Sequence, residues 1–302
     1  MRQLIHVTAY PETMGRFRRS WELGKSSWSV IRSEPRLVLL PVISFLVILV
    51  VMGTFASGIF FAGGGSEAFD KIGDDSSVQS SINIGGWVML AVGYLVAAYV
   101  VIFFNSALIW AANEHFEGRD VSLRTALGAA FKNAFKILPW AIISATVSFL
   151  LKLAQEKLDF VGDIIAGVAG LAWSVITFLV LPAIVVEGLG PKDAIKRSSK
   201  LFKKTWGENM IGNGAVGLIT LVGVLIGLPL LAVLFTDSTP LIAAGIALLV
   251  IWWSLVAAVT SAMSVVYQMA LFRYAAEGNT AAEFESVGLD KAFKPKKARA
   301  VA

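Results

Sequence analysis

The stretch that decides the fold runs from Leu37 to Ala62 and reads LVLLPVISFLVILVVMGTFASGIFFA, with no Asp, Glu, Lys or Arg. A helix of about 20 apolar residues crosses the roughly 30 Å hydrocarbon core of a bilayer. Lipid offers no partner to backbone N–H and C=O groups, so a segment at that depth must satisfy them within its own helix. The stretch therefore predicts a transmembrane helix.

Uncharged runs of this kind recur along the chain. They lie at Ile84–Asn113, Ile137–Leu151, Ile164–Val186, Asn209–Thr236 and Ser238–Phe272. The run at Ile137–Leu151 is the shortest, and a re-entrant or interfacial segment is the alternative interpretation there. Lys152 follows it and could extend its ammonium group to the headgroups. Counting this run as a span, the sequence predicts six transmembrane helices.

The composition excludes an ordinary water-soluble enzyme. Hydrophobic residues make up 56% of the 302 residues and charged residues 16%, whereas soluble domains carry about 25% charge. Cysteine is absent and only two histidines occur. Thiolate sites are therefore excluded, and few imidazole groups are present for catalysis or metal binding. Ion-coupled transporters and intramembrane hydrolases place charged groups at membrane depth, but every charge here falls outside the predicted spans. We predict no catalytic residues, no metal and no cofactor.

The basic residues divide unevenly between the two sides of the predicted membrane. Of the 26, all but three fall in residues 1–36, 113–136, 187–209 and 273–302. Cytoplasmic loops retain Lys and Arg during insertion. The sequence thus predicts a multi-pass protein with both termini in the cytoplasm.

Two basic segments repeat each other. Arg19–Trp28 (RSWELGKSSW) and Arg197–Trp206 (RSSKLFKKTW) agree at Arg, Ser, Leu, Lys and Trp without a gap, and Thr125–Lys136 is a fainter copy. We predict an all-α integral membrane domain, residues 1–278, built from three repeats of an amphipathic interfacial helix plus a transmembrane hairpin. The units are about 14–112, 113–186 and 187–278, and residues 279–302 form a basic, flexible cytoplasmic tail.

The basic segments are the candidate surface for anionic lipid or a protein partner. In the third unit the apolar side chains share one helical face, which we expect in the acyl boundary, with the cations near anionic headgroups. A signal for membrane orientation alone is the simpler interpretation of the same charge. The predicted surface consists of Arg18, Arg19, Lys25, Trp28, Lys132, Lys136, Lys196, Arg197, Lys200, Lys203, Lys204 and Trp206.

Polar and small residues inside the spans offer weaker signals. Asn105 and Ser106 predict either a polar cleft for a ligand or an interhelical hydrogen bond. Small residues at four-residue spacing, among them Gly170 in the fourth span and Gly223 in the fifth, predict close helix packing within the bundle. Pro229 predicts a kink in the fifth span.

Two loops carry a family resemblance. Residues 180–212, VLPAIVVEGLGPKDAIKRSSKLFKKTWGENMIG, and residues 105–124, NSALIWAANEHFEGRDVSLR, resemble uncharacterised prokaryotic polytopic membrane proteins classed as a domain of unknown function. More remotely, the layout is similar to the membrane domain attached to glycerophosphodiester phosphodiesterases, without the catalytic ligands of the enzyme. The resemblance supplies an expectation for the fold but none for an activity. We expect a location in the prokaryotic plasma (inner) membrane.

These observations favour a non-catalytic integral membrane component, a scaffold or accessory subunit whose basic cytoplasmic face binds anionic lipid or a partner. The alternative is a passive channel or carrier for an apolar or lipid-like solute. The expected partners are membrane lipids and other membrane proteins, and no nucleic acid.

Overall fold

The computed structural model describes residues 16–62, 84–157, 160–205, 214–229, 231, 236, 238–278 and 282–285. All regular structure within these ranges is helical. The α-helices, numbered in chain order, are α1 Arg16–Ser33, α2 Arg36–Ala62, α3 Ile84–Phe116, α4 Leu123–Lys157, α5 Phe160–Thr177, α6 Val180–Val186, α7 Pro191–Thr205, α8 Gly214–Gly227, α9 Thr239–Glu277 and α10 Ala282–Glu285.

Five segments of the described chain are long and apolar enough to cross a membrane: α2, α3, α4, the α5–α6 pair and α9. They indicate a multi-pass membrane protein. The run at Ile137–Leu151, for which a re-entrant or interfacial segment is the alternative, lies within one uninterrupted helix of 35 residues. The predicted surface segment Thr125–Lys136 belongs to the same helix, so the separate interfacial helix expected there is not formed.

The structure differs from the prediction at the expected fifth span, Asn209–Thr236. Its described α-helix, α8, has 14 residues, which is too short for a span on its own. The helix ends at Gly227, and a 3₁₀ turn follows at residues 228–229. Pro229 has no N–H for the carbonyl four residues earlier and its ring crowds that turn, so the proline marks the end of the α-helix instead of a kink within it. Residues 206–213 lie outside the described part of the chain.

Three long-range contacts bring the basic segments to one end of the bundle, which we call the cationic end. Arg273 near the end of α9 contacts Asn113 at the end of α3. Arg36 at the start of α2 donates to the carbonyl of Val121, just before α4. Lys136 of α4 donates to the carbonyl of Gly188, between α6 and α7.

The protein core lies toward this end, where α3, α6 and α9 pack together. Leu108, Ile109, Ile184 and Met263 are fully buried there. The other half of α3 is different, since Ile84 and Val88 are 85% and 58% exposed. Apolar side chains exposed on a long apolar helix are the expected surface toward lipid.

The small residues of α8 and α5 have different surroundings. A Cβ on Gly223 would lie 2.8 Å from Val256 of α9, and the carbonyl of Gly223 accepts a 3.0 Å hydrogen bond from the Trp252 indole. Apart from its chain neighbours and the backbone of its own helix, the described residues place no atom within 4 Å of a Cβ on Gly170. Close packing within the bundle, predicted for both glycines, is therefore seen at Gly223 and not at Gly170.

This contrast gives a matched pair of variants. Gly223→Leu should destabilise the protein by about 1–3 kcal/mol, because the added side chain overlaps Val256 and forces α8 from α9. Gly170→Leu introduces the same side chain into a helix where space is open, so its thermal unfolding midpoint should stay near that of the parent. Thermal unfolding of the purified protein in mild detergent measures both, and equal losses would contradict the packing described for α8.

Candidate functional site

Helix α7 buries one face against protein. Ala194, Ser198 and Leu201 are at most 2% exposed, and α7 packs against α5 and α6. Spacings of four and three residues place these side chains on one stripe of the helix. This face was expected among acyl chains, but neighbouring helices cover it instead.

A groove with a cationic wall lies beside the buried stripe. It has a volume of about 500 Å³ and is lined by Ile176 of α5 and by residues of α7. Three lysines on α7 contribute to it, Lys196, Lys200 and Lys203. Their spacing of four and three residues places the three ammonium groups along one side of the helix. The groove therefore combines an apolar surface with a row of positive charge.

A related groove lies beside α1. It has a volume of about 590 Å³, and Lys25 and Trp28 line it together with Val222 of α8 and Val256 of α9. Lys25 is 58% exposed and lies 3.4 Å from Glu22 of the same helix. In the sequence repeat Lys25 aligns with Lys203. The two aligned lysines thus each line a groove between their own helix and neighbouring helices of the bundle.

Two other predicted basic residues are engaged with the protein itself. Arg197 donates three hydrogen bonds of 2.7–3.0 Å to the Glu187 carboxylate, and these bonds raise the pKa of its guanidinium above the usual value. Lys136 donates a 2.8 Å hydrogen bond to the carbonyl of Gly188. Gly188 has a φ of 67°, which favours glycine. These contacts fix the connection between α6 and α7.

The remaining predicted surface residues are placed as follows. Lys132 is exposed on α4. The backbone of Arg18 and Arg19 lies in α1 and that of Lys204 in α7, while their side chains and the whole of Trp206 lie outside the described part of the structure. That portion of the predicted surface stays a prediction.

Neither residue of the predicted polar cleft, Asn105 or Ser106, lines the groove beside α7 or the groove beside α1. Asn105 is half-buried on α3. Ser106 is fully buried, and its hydroxyl has no hydrogen-bond partner among the described residues. A cleft at these positions stays a prediction.

A cluster of ion pairs that the sequence analysis missed joins the ends of α3 and α9. Arg273 lies 3.5 Å from the Glu117 carboxylate and 3.4 Å from the side-chain oxygen of Asn113. Asn113 in turn donates a 2.9 Å hydrogen bond to Glu117, and Arg119 pairs with both Glu114 and Glu117. Burial alone would raise the pKa of Glu117, but the bonds from Arg119 and Asn113 and the nearby guanidinium charges lower it overall.

The fourth predicted span is broken at Phe178 and Leu179, between α5 and α6. Pro182 has no N–H, so the Phe178 carbonyl loses its helical partner. The Gln268 side chain of α9 donates to that carbonyl. The N–H of Leu179 donates a 3.1 Å hydrogen bond to the Ser198 hydroxyl of α7. Two peptide groups freed by the break are therefore paired with side chains from other helices.

The five long apolar segments and the cationic end of the bundle define the class of this protein: it is a multi-pass α-helical membrane protein. The chain belongs to Family of unknown function (DUF6159), which matches residues 84–282. Neither the curated proteins nor the solved structures contain a match. The family agrees with the expected uncharacterised group, while the remote likeness to glycerophosphodiester phosphodiesterase membrane domains finds no support. Within the described ranges, no three His, Asp or Glu side chains are grouped to hold a metal ion.

The Glu117 cluster predicts a pH-dependent stability. A carboxylate with a lowered pKa stabilises the folded state above the pKa of a free glutamate, about 4.3, and this contribution is lost as the pH falls further. Glu117→Gln should therefore unfold at a lower temperature than the parent at pH 7, and the gap should narrow below about pH 4. Glu34→Gln, outside the cluster, serves as the control, and a gap for Glu117→Gln that is constant with pH would contradict the assignment.

The broken span predicts a coupled pair of variants. Gln268→Met leaves the partly buried Phe178 carbonyl without its side-chain donor and should cost about 1–2 kcal/mol of stability. In a Pro182→Ala background the new N–H can bond to that carbonyl, so the same change should cost clearly less. A double-mutant cycle on thermal unfolding measures the coupling. Equal costs in both backgrounds would show that the hydrogen bond does not stabilise the break.

Proposed function

We propose that this protein is a non-catalytic integral membrane component whose cationic end binds anionic phospholipid of the cytoplasmic leaflet. The observation that carries the proposal is the groove lined by Lys196, Lys200 and Lys203. A phospholipid presents a phosphate joined to apolar chains, and this groove offers a row of ammonium groups joined to an apolar surface. The ion pair between Arg197 and Glu187 holds α7 in place, so the lysines are presented from a fixed helix.

The positive charge of the groove is sufficient to favour anionic over zwitterionic headgroups. Each Lys or Arg near an anionic membrane surface contributes about 1 kcal/mol. Three lysines on one stripe can therefore favour an anionic headgroup over a zwitterionic one by more than tenfold. Their aliphatic stems can lie along apolar surface while the ammonium groups reach the phosphate.

The direction of the helices supports six membrane crossings with the cationic end in the cytoplasm. The contact between Arg273 and Asn113 places the end of α9 beside the end of α3. A helix of 39 residues is about 58 Å long, so α9 begins at the opposite end of the bundle. Because α7 lies at the cationic end, residues 206–238, which include α8, would carry the chain across. An even number of crossings brings both termini to the side where basic residues accumulate.

The packing of the three basic segments supports the three-unit arrangement. Helix α7 of the third unit packs against α5 and α6 of the second. In the second unit Phe131 of α4 contacts Phe103 of the first unit's α3 edge to face, with ring centroids 4.8 Å apart. Helix α1 of the first unit packs against α8 and α9 of the third. Each basic segment therefore covers the spans of another unit, as in a closed ring.

The experiment uses the full-length protein in nanodiscs of phosphatidylcholine with a minor fraction of phosphatidylglycerol. Native mass spectrometry of the released protein counts the retained molecules of each lipid. The parent should retain phosphatidylglycerol beyond its share of the bilayer, and less so as salt is raised. The triple variant Lys196→Gln, Lys200→Gln and Lys203→Gln should lose at least about tenfold of this preference.

A variant of equal charge is the control. Arg32→Gln, Arg124→Gln and Lys192→Gln remove three exposed cations that do not line the groove. This control should keep the preference of the parent. If both triple variants lose the phosphatidylglycerol preference equally, net charge explains the effect and the groove is not the site. If the groove variant keeps the preference, lipid binding in the groove is overturned.

A further inference from the structure

The groove beside α1 combines an apolar surface with a pair of opposite charges. Its volume of about 590 Å³ lies within the range of sites that bind small molecules, about 300–1,000 Å³. Lys25 lines the groove, and the Glu22 carboxylate lies 3.4 Å from the Lys25 ammonium. The residues that line the groove beside α7 do not contribute to it. The two grooves are therefore separate.

The apolar surface of the groove follows one stripe on each of two packed helices. On α9 the lining runs from Trp252 to Thr260 at spacings of three residues and one residue, which is about 12 Å along the axis. On α8 it includes the exposed side chains of Val222 and Ile226. The surface is therefore elongated along the helices, as an extended hydrocarbon chain requires.

The polar side chains on this surface are bonded within the protein. The Trp252 indole donates a 3.0 Å hydrogen bond to the carbonyl of Gly223. The Thr260 hydroxyl donates a 2.7 Å hydrogen bond to the carbonyl of Val256. The described lining contributed by α8 and α9 therefore offers hydrocarbon surface to a ligand.

The charge pair of α1 can contact a ligand while it remains paired. The Lys25 side chain is exposed and that of Glu22 is partly exposed. An ammonium group has three N–H donors, and a carboxylate accepts several hydrogen bonds, so one contact between the two groups leaves capacity on both. The pair therefore presents a positive and a negative charge side by side.

The sequence repeat shows how the two grooves differ. Glu22 aligns with Lys200, and Lys25 aligns with Lys203. Lys200 and Lys203 both line the groove beside α7, where none of the described lining residues is acidic. A carboxylate thus takes the place of one cation in α1. This exchange changes the complementary headgroup from an anion to a zwitterion.

Helix α1 lies at the cationic end of the bundle. It packs against α10, which follows the end of α9, and it ends three residues before Arg36 at the start of α2. Trp28 of α1 lines the groove and is exposed, and tryptophan is enriched at the membrane–water boundary. The charge pair therefore faces the headgroups of the leaflet at this end.

We propose that the groove beside α1 binds a phospholipid whose headgroup carries a primary ammonium, the chemistry of phosphatidylethanolamine. Its phosphate accepts a hydrogen bond from Lys25, its ammonium donates to Glu22, and one acyl chain lies along α8 and α9. Charge complementarity selects this occupant, because an anionic headgroup would meet the Glu22 carboxylate and a choline headgroup has no N–H to donate to it. The proposal does not rest on lipid binding by the lysines of α7.

Photocrosslinking of the full-length protein tests the site directly. The probe is phosphatidylethanolamine with a diazirine in one acyl chain, present as a minor component of a phosphatidylcholine nanodisc. Labelling should map to residues 222–226 and 252–260. Unlabelled phosphatidylethanolamine should compete, whereas phosphatidylglycerol and diacylglycerol should compete at least about threefold less well.

A charge exchange at Glu22 tests the headgroup contact. Glu22→Lys supplies the residue of the aligned position in α7. It should reduce labelling by the phosphatidylethanolamine probe at least about threefold and increase labelling by the corresponding phosphatidylglycerol probe. Glu34→Lys makes the same charge change outside the lining and should alter neither. If Glu22→Lys changes labelling no more than Glu34→Lys does, the headgroup assignment is overturned.

A second pair of variants tests the acyl chain. Val222→Trp adds a large ring to the lining and should reduce labelling, while Leu221→Trp, exposed on the same helix outside the lining, should not. The thermal midpoint of each variant verifies folding. Competition by diacylglycerol equal to that by phosphatidylethanolamine would show a site for hydrocarbon alone, and equal competition by phosphatidylglycerol would show a site indifferent to the ammonium. Either result would overturn the proposal.

Discussion

The structure depends on one constraint, the absence of hydrogen-bond partners for the backbone in hydrocarbon. Uninterrupted helices such as α3 and α9 satisfy it within themselves. The broken span between α5 and α6 cannot, because Pro182 removes a donor and the chain leaves helical geometry at Phe178. Gln268 and Ser198 supply the missing partners from α9 and α7. The break is therefore the point where a surface helix and the longest helix are joined to the same span.

The cationic end collects charged residues that hydrocarbon excludes. Some of them pair with other residues and connect helices, and others remain exposed. Arg273 and Arg197 pair with Glu117 and Glu187 and connect helices. The lysines of α7 line an open groove instead. Arginine suits the first role because its planar guanidinium bonds to carboxylates through several N–H groups, and lysine suits contact with headgroups because its charge lies at the end of a flexible stem.

Sequence alone predicted the long helices well and their contacts poorly, for physical reasons. A span is a local property, since twenty consecutive apolar residues decide it, and the runs in α2, α3 and α9 needed no other information. The hydrogen-bond partner of the Phe178 carbonyl is Gln268, 90 residues away, so no local sequence pattern predicts this contact. Small residues are equally ambiguous, because Gly170 and Gly223 occur in similar patterns while only Gly223 meets another helix closely.

The central proposal is that the chain crosses the bilayer six times and keeps most of its cations on one side. Thiol labelling of intact cells or oriented vesicles tests it most directly, since the chain has no native cysteine. Single variants Asp120→Cys, Lys192→Cys and Thr236→Cys each place one thiol at an exposed position: between α3 and α4, in the first turn of α7, and between α8 and α9. A membrane-impermeant maleimide should label Thr236→Cys from outside and the other two only after the membrane is opened. Labelling of Thr236→Cys and Lys192→Cys from the same side would contradict the account.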